Sequence, residues 1–296
     1  MKIRVNEYLL QDKNVKKGKN LASIADIHGN TLAMNLIVKL LKEYSLNYIC
    51  LVGDTVDCKK DENKTELVSC LKELNRMCYV FLSMGNHEIY EKDIYLYGRS
   101  KKIITENYLN FFKQLDGLTN CISFLNEFNS LELPDNIQIN ALNVPFVCYK
   151  YETKENFEQF LSTLNLEFDE DKFNILLSHS PNCILQNNII SYFKEMNLIL
   201  SGHNHGGLVP TFLQDIIKGH KGIVGPYGKI FQNNSYGTWT NDNTSLIVNN
   251  GVTRISDTKL LGISDSIFMP EVDIVNIKPS NEHSLNLVRR KVYNVK

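Results

Sequence analysis

The chain has no excess of either charge. Its 32 basic and 33 acidic residues leave a formal net charge of −1, which argues against a global basic footprint for nucleic acid or anionic lipid. It has no apolar run of about 18 residues, so no transmembrane segment is expected. Seven cysteines, at positions 50, 58, 70, 78, 121, 148 and 183, form no C-x-x-C pair. An odd, scattered set argues against a disulfide framework or a cysteine-type zinc site, and for a reducing compartment, the cytoplasm. Met1 to Asn20 is polar and charged, without the apolar core of a signal peptide. Alanine is rare, with only Ala22, Ala25, Ala33 and Ala141, which reads as coding bias. There is no internal repeat, low-complexity tract or clear linker.

What is present is ordinary globular material. The 296 residues are 43% hydrophobic and 22% charged, enough to bury a core without staples. Short apolar runs alternate with amphipathic stretches. Leu21 to Asp26, Tyr48 to Gly53 and Tyr79 to Met84 read as buried strands. Thr31 to Tyr44 reads as a helix with Leu32, Leu36, Ile37, Leu40 and Leu41 on one face; Thr65 to Met77 and Ile103 to Leu115 read as two more. Cys121 to Leu133 and Ile137 to Val147 read as neighbouring strands joined at Pro134-Asp135-Asn136. Further on come a helix over Asn156 to Leu164, a strand over Phe173 to Leu177, a helix over Cys183 to Met196 and a strand ending at Leu200. Residues 206 to 243 read as loop-rich, and Ser245 to Thr253 and Val272 to Ile277 as closing strands. The pattern predicts the α/β class, with residues 1–296 as one domain built on two sheets.

The placement of histidine carries the chemistry. Five of the seven histidines fall just after predicted strands: His28, His87, His179, His203 and His205. Their segments, with one more, are Asp26-Ile27-His28, Gly53-Asp54-Thr55-Val56-Asp57, Gly85-Asn86-His87-Glu88, Ser178-His179-Ser180-Pro181 and Gly202-His203-Asn204-His205. The carboxyl ends of strands in α/β sheets are where ligands bind. Asp26 and His28 are two apart, as are His203 and His205, so in extended chain each pair points to one side. Gly53, Gly85 and Gly202 allow a sharp turn or close approach of backbone to an ion. Imidazole with carboxylate suits Mn, Fe, Co or Zn. The ligands outnumber the needs of one ion, whereas two ions sharing a bridging carboxylate would use them all.

Each segment alone has a plain reading: D-x-H a surface pair, GD-x-x-D a turn with a helix cap, GNHE a turn. The combination, each segment after an apolar strand, favours a site. His220 and His283 lie outside any such segment and are read as exposed or core side chains.

Taken in order, D-x-H, GD-x-x-D, GNH[ED], a separate His and GH-x-H resemble the calcineurin-like metallophosphoesterase superfamily. The motifs cover Asp26 to His205, and Gly251 to Ile277 resembles the final strands of its bacterial members. The resemblance implies two mixed β-sheets packed as a sandwich with flanking helices. It implies two transition-metal ions, divalent or trivalent, with Mn the first choice to support activity and Fe, Zn or Co as alternatives. One ion would be held by Asp26, His28, Asp54 and His205, the second by Asp54, Asn86, His179 and His203, with Asp54 bridging. A water or hydroxide between them would attack phosphorus. His87 would stand beside the substrate, donating a proton or stabilising charge, with Asp57 as its partner; Asp57 as a helix cap is the alternative. Asn30 and Asn204 lie near ligands and have no assigned role.

The departures narrow the branch. Cys58-Lys59 follows Asp57 where protein phosphatases of the superfamily carry Arg-Gly. GHNHGG resembles bacterial members acting on phosphodiester or pyrophosphate links, and the substrate is expected to be a phosphorylated small molecule, a nucleotide or a lipid head group, with no stable nucleic-acid partner. Tyr90, Tyr95, Tyr97, Arg99, Lys101, Lys102 and Tyr108 could rim the pocket or form a solvated helix and loop. The competing functions are a phosphomonoesterase or protein phosphatase, and a non-catalytic scaffold with the same fold.

Overall fold

Continuous apolar runs bounded by polar turns dictate the sheets. The structure, a computed structural model, describes residues 1–56, 64–90, 103–104, 106–185, 189–253 and 267–295. In chain order the first half runs β1 (Lys2–Asp12), β2 (Lys19–Ile24), α1 (Thr31–Leu41), β3 (Tyr48–Val52), α2 (Lys64–Met77), β4 (Tyr79–Ser83), β5 (Ile89–Tyr90), β6 (Ile103–Ile104), α3 (Glu106–Lys113) and β7 (Cys121–Ser123). The second half runs β8 (Phe128–Leu133), β9 (Ile137–Leu142), α4 (Phe146–Tyr151), α5 (Lys154–Leu161), β10 (Phe173–Leu177), α6 (Pro181–Leu185), β11 (Leu198–Ser201), β12 (Gly237–Asn241), β13 (Thr244–Val248), β14 (Glu271–Pro279) and β15 (Ser284–Asn294).

Two mixed sheets result. One has seven strands in the order β15-β1-β14-β2-β3-β4-β7, the other six in the order β12-β13-β11-β10-β9-β8. The runs β2-β3-β4-β7 and β13-β11-β10-β9 are parallel. Parallel strands are buried on both faces, which is why β3 (YICLV) and β10 (FNILL) are apolar almost throughout and fully buried. The inner core between the sheets holds Leu21, Cys50, Val52 and Phe81 from the first sheet against Ile139, Ile175, Leu177 and Leu200 from the second. Helices α1, α2 and α3 cover the outer face of the first sheet. Helices α4, α5 and α6 cover the second. The sandwich with flanking helices is as the sequence predicts.

Several elements differ from the reading. Leu32 was expected on the buried face of α1 and is 66% exposed, because the buried face runs through Ala33, Met34, Ile37, Leu40 and Leu41. The helix expected over Ile103 to Leu115 is a short strand and then α3. Cys121 to Leu133 is two strands in different sheets, β7 beside β4 and β8 beside β9. Val147 belongs to α4, not to a strand. The helix expected over Cys183 to Met196 is α6 followed by a 3₁₀ turn, Ile189–Phe193. β1 and β15 pair along their length, although both are rich in polar residues. No helix among the described residues is long and apolar enough to cross a membrane.

Candidate metal centre

The parallel order puts the carboxyl ends of β2, β3 and β4 on one edge, and those of β10 and β11 face them from the second sheet. Asp26 and His28 follow β2, Asp54 follows β3, Asn86 and His87 follow β4. His179 follows β10, and His203 and His205 follow β11.

These residues converge. Nε2 of His28 lies 3.7 Å from Asp54 Oδ2 and 3.9 Å from Asp26 Oδ1. Nε2 of His205 lies 3.6 Å from Asp26 Oδ1. Nε2 of His179 lies 3.1 Å from Asp54 Oδ2 and 3.6 Å from Asp26 Oδ1. Three groups of possible ligands each fit within 4.8 Å: Asp26 with His28 and His205, Asp54 with His179 and His203, and His28 with Asp54 and His87. Asp54 belongs to two of them. Atoms that bind one ion at about 2.1 Å each stand roughly 3–3.5 Å apart, close to the spacings observed.

The expected extended geometry of D-x-H and GH-x-H is not what brings the pairs together. Asp26, His28, Asp54, His203 and His205 all have left-handed backbone, with φ of 52°, 49°, 49°, 67° and 48°. Non-glycine residues rarely adopt it, and such outliers collect at functional sites. The strands end before the ligands, and each loop then turns sharply to return its side chains to the edge. Backbone bonds lock those turns: His28 N–H donates to Asp54 O at 2.8 Å, and Gly202 N–H to His179 O at 2.9 Å.

Gly53 turns the chain as expected, with φ of 73°, and all three glycines also stand against side chains. A Cβ at Gly53 would stand 2.5 Å from His179 Cγ, and one at Gly202 would stand 2.7 Å from Asp26 Oδ2. One at Gly85 would collide with the Asp54 carboxylate. These glycines make room for the side chains of the candidate ligands.

Electrostatics favour cation binding. Burial would raise the Asp54 carboxyl, but His179, His87 and His28 overcome it and hold Asp54 well below the usual range. Burial raises Asp26 and keeps His28 and His203 well below the usual imidazole range, hence neutral with free lone pairs. Burial would also lower His179, yet Asp54 and Asp26 push it up to about 9. The field that holds that proton is one a metal ion would occupy instead. Nδ1 of His179 lies 2.7 Å from Val52 O, and Nδ1 of His205 lies 2.8 Å from Thr253 O. A carbonyl only accepts, so each Nδ1 carries the proton and Nε2 is left to bind. Asp26 Oδ1, His28 Nε2, Asn86 Oδ1 and His203 Nε2 are buried and make no hydrogen bond. Each such atom costs about 1–3 kcal/mol unless a ligand satisfies it, so this donor set fits metal ions.

His87 stands at the side of the cluster, its ring 4.5 Å from that of His28 and edge-on to it, its backbone N–H donating to Asp54 Oδ1 at 2.9 Å. Asp57 lies outside the described residues, as do Tyr95, Tyr97, Arg99, Lys101 and Lys102. Tyr108 is buried in α3 against Phe111 and Phe112, so it does not rim a pocket. His220 is half-buried beside Tyr236, away from the cluster.

Other residues hold the loops, and none of them has a role assigned from the sequence. The Glu88 carboxylate accepts backbone N–H bonds from Asp54, Val56 and Gly85 at 2.9, 3.1 and 2.5 Å. Burial, then the Asp54 charge, pushes its carboxyl up to about 7. Asn143 accepts from Met84 N–H at 2.8 Å and so ties the exit of β4 to the second sheet. Asn30 caps α1 by accepting from Ala33 N–H, and donates to Thr253 Oγ1. Asn204 donates to Asn234 O. Glu88 was visible as the fourth letter of GNHE; Asn143 and Thr253 carried no local signal.

Residues 20–207 match the model of the calcineurin-like phosphoesterase family. An uncharacterized metallophosphoesterase of Campylobacter jejuni is 25% identical over 242 residues, 76% of this chain and 56% of the relative. The chain therefore spans little more than half the length of that relative. An uncharacterized metallophosphoesterase of Aquifex aeolicus is 24% identical over 235 residues, 75% of this chain and 78% of that protein. Among solved structures, a Thermus thermophilus protein overlaps with a TM-score of 0.44 at 10% identity, covering 79% of this chain and 89% of its own.

Proposed function

Because the chain belongs to the calcineurin-like phosphoesterase family, whose members are metal-dependent phosphoric ester hydrolases, we propose that it hydrolyses phosphodiesters at a two-ion centre. The observation that carries this is twofold: buried side-chain atoms of Asp26, His28, Asn86 and His203 make no hydrogen bond, and Asp26, His28, Asp54, His179, His203 and His205 fall into overlapping groups that could each hold an ion. Asp26, His28, Asp54 and His205 would hold one ion, and Asp54, Asn86, His179 and His203 the other. When bound, the ions would activate water and draw charge from the phosphoryl oxygens. Mn is the first choice, with Fe, Co and Zn as alternatives suited to the same donors.

The chain's own residues supply the rest. Asp54, kept ionised and shared by both groups, sets their separation. His179 and His205, fixed by carbonyls on Nδ1, present Nε2 without rotating. His87 would give a proton to the leaving oxygen, with Asp57 as its partner. Diesters are preferred over monoesters on the strength of GHNHGG and of Cys58-Lys59 in place of Arg-Gly. The substrate is a phosphorylated small molecule, nucleotide or lipid head group. Residues 1–296 are taken as one domain, because β1, β14 and β15 complete the sheet that carries Asp26 and Asp54. The scattered cysteines, with no C-x-x-C pair among them, support a cytoplasmic location.

The test compares the protein with Asp54→Ala after loading with Mn²⁺. The wild type should cleave bis(p-nitrophenyl) phosphate faster than p-nitrophenyl phosphate, and Asp54→Ala should cleave neither and lose both ions in elemental analysis. Two ions retained by Asp54→Ala would refute the bridging role, and faster monoester cleavage would refute the diester preference.

A further inference from the structure

The chain returns to the metal centre in the turn Gly225-Pro226-Tyr227-Gly228. Tyr227 has left-handed backbone there, with φ of 57°. A bulky side chain rarely takes that conformation, and such outliers collect at functional sites. Several contacts hold the turn in place. Gly225 N–H donates to Lys229 O at 2.7 Å and closes it. Ile223 and Val224 both donate N–H to Gly207 O, at 2.7 and 3.0 Å, which joins the segment leading into the turn to the loop of His203 and His205. Lys229 Nζ pairs with Glu152, at the end of α4, at 2.7 Å, and Glu152 also accepts from Asn182 of α6 and from Gln232, each at 3.4 Å. The Tyr227 ring stands perpendicular to Phe146 at 6.0 Å and tilted by 45° to His203 at 6.1 Å. His203 is a member of the Asp54 group, so the ring borders that group.

Exposure and charge say what the side chain faces. Tyr227 is 46% exposed although it stands beside His203, which is 1% exposed. It therefore lies where the centre opens to solvent, within reach of a substrate. Among the charges acting on its hydroxyl, Asp54 has the largest effect, ahead of Glu152. That places the hydroxyl in the field of the proposed bridging carboxylate. A phenol keeps its proton below about pH 10, and burial, then Asp54, raises this one further, so it is a hydrogen-bond donor. It has no hydrogen-bond partner among the described residues. The ring is packed against Phe146 and His203, which leaves the hydroxyl as the group with an unused bond. We propose that Tyr227 is a substrate-binding residue, its hydroxyl donating to a non-bridging phosphoryl oxygen on the His203 side of the centre. His87 stands on the His28 side. This deepens the proposed function and rests on it for where the phosphoryl group sits.

Titration calorimetry on the Mn²⁺-loaded full chain, with inorganic phosphate as the probe, tests this without turnover. Tyr227→Phe removes the hydroxyl and keeps the ring. It should weaken phosphate binding by ~10–100-fold, the scale of a hydrogen bond to a charged group, with manganese content and thermal midpoint unchanged. Tyr227→Gly, which suits the left-handed backbone, should bind phosphate about as weakly as Tyr227→Phe, because the ring itself adds no bond to phosphate. Phosphate bound by Tyr227→Phe as tightly as by the wild type would overturn the proposal, and a loss confined to Tyr227→Gly would assign the contact to the ring and overturn it too. Manganese lost from Tyr227→Phe would make the phenol a metal ligand, again against the proposal, as would a loaded wild type that binds no phosphate. The two readings fail separately. A hydroxyl-dependent phosphate affinity in a protein that cleaves no phosphoester would uphold the role of Tyr227 and overturn the proposed function. Diester cleavage by a protein whose phosphate affinity ignores the hydroxyl would do the reverse.

Discussion

Thr253 shows how much one unremarkable residue does at the centre. Its N–H donates to Asp26 O at 2.9 Å, and its carbonyl receives His205 Nδ1–H. Its hydroxyl donates to Ile27 O at 2.9 Å and accepts from Asn30 at 3.1 Å. Thr253→Val keeps the backbone bonds and deletes the hydroxyl, so it should weaken metal binding about tenfold, the usual scale for a group that orients a ligand; metal titration at fixed pH would measure it. His87→Ala should keep both ions and lower turnover by ~10²–10⁴-fold, as for a general acid, and unchanged turnover would discard that role. At this scale the candidate ligands were legible because each chemistry-bearing type stands beside glycine after an apolar run. Thr253 was not, because the group it offers His205 is a carbonyl that every residue has, 48 positions away.

Elements differ in how plainly they announce themselves. β3 and β10 were evident, since a strand buried on both faces must be apolar throughout. β15 was not, since it forms the edge of its sheet and its face is charged: Arg289, Arg290 and Lys291 lie in its middle. β7 merged with β8 in the reading because nothing local marks the point where a chain crosses between sheets. Asn30 was left without a role from the sequence, and the structure makes it the cap of α1 and a brace for Thr253. Asn30→Ala should therefore cost about 1 kcal/mol in denaturant melts and also weaken metal binding, a pairing that loss of a cap alone would not produce.

The whole molecule is also tied together by buried polar groups. His283 Nδ1 donates to Asp12 Oδ2 at 2.6 Å, and its Nε2 lies 2.9 Å from Ser245 Oγ. That is the connectivity of a hydrolytic triad, but Ser245 and Asp12 are sealed from solvent. It links β1, β13 and the turn before β15, so it joins the two sheets and is structural. Asp273 sits between Asn6 and Asn249, which donate to it at 2.8 and 2.7 Å. Burial, then the Glu271 charge, pushes its carboxyl up to about 8. The folded state therefore holds a proton that the unfolded state releases near pH 4. Its contribution to stability is full below that pH and is lost as pH rises through about 8. Urea midpoints should fall between pH 5 and pH 8, and the fall should be smaller in Asp273→Asn.

Amino-acid order by itself determined the α/β class, the buried parallel strands and the identity of Asp26, His28, Asp54, Asn86, His179, His203 and His205 as candidates, since these depend on local pattern and side-chain type. Tertiary structure alone decided which of them meet, because left-handed turns after the strands, not extended spacing, aim the side chains. It also decided the placing of Thr253 and Asn143 beside them, since hydrogen bonds between distant segments exist only once both sheets have packed.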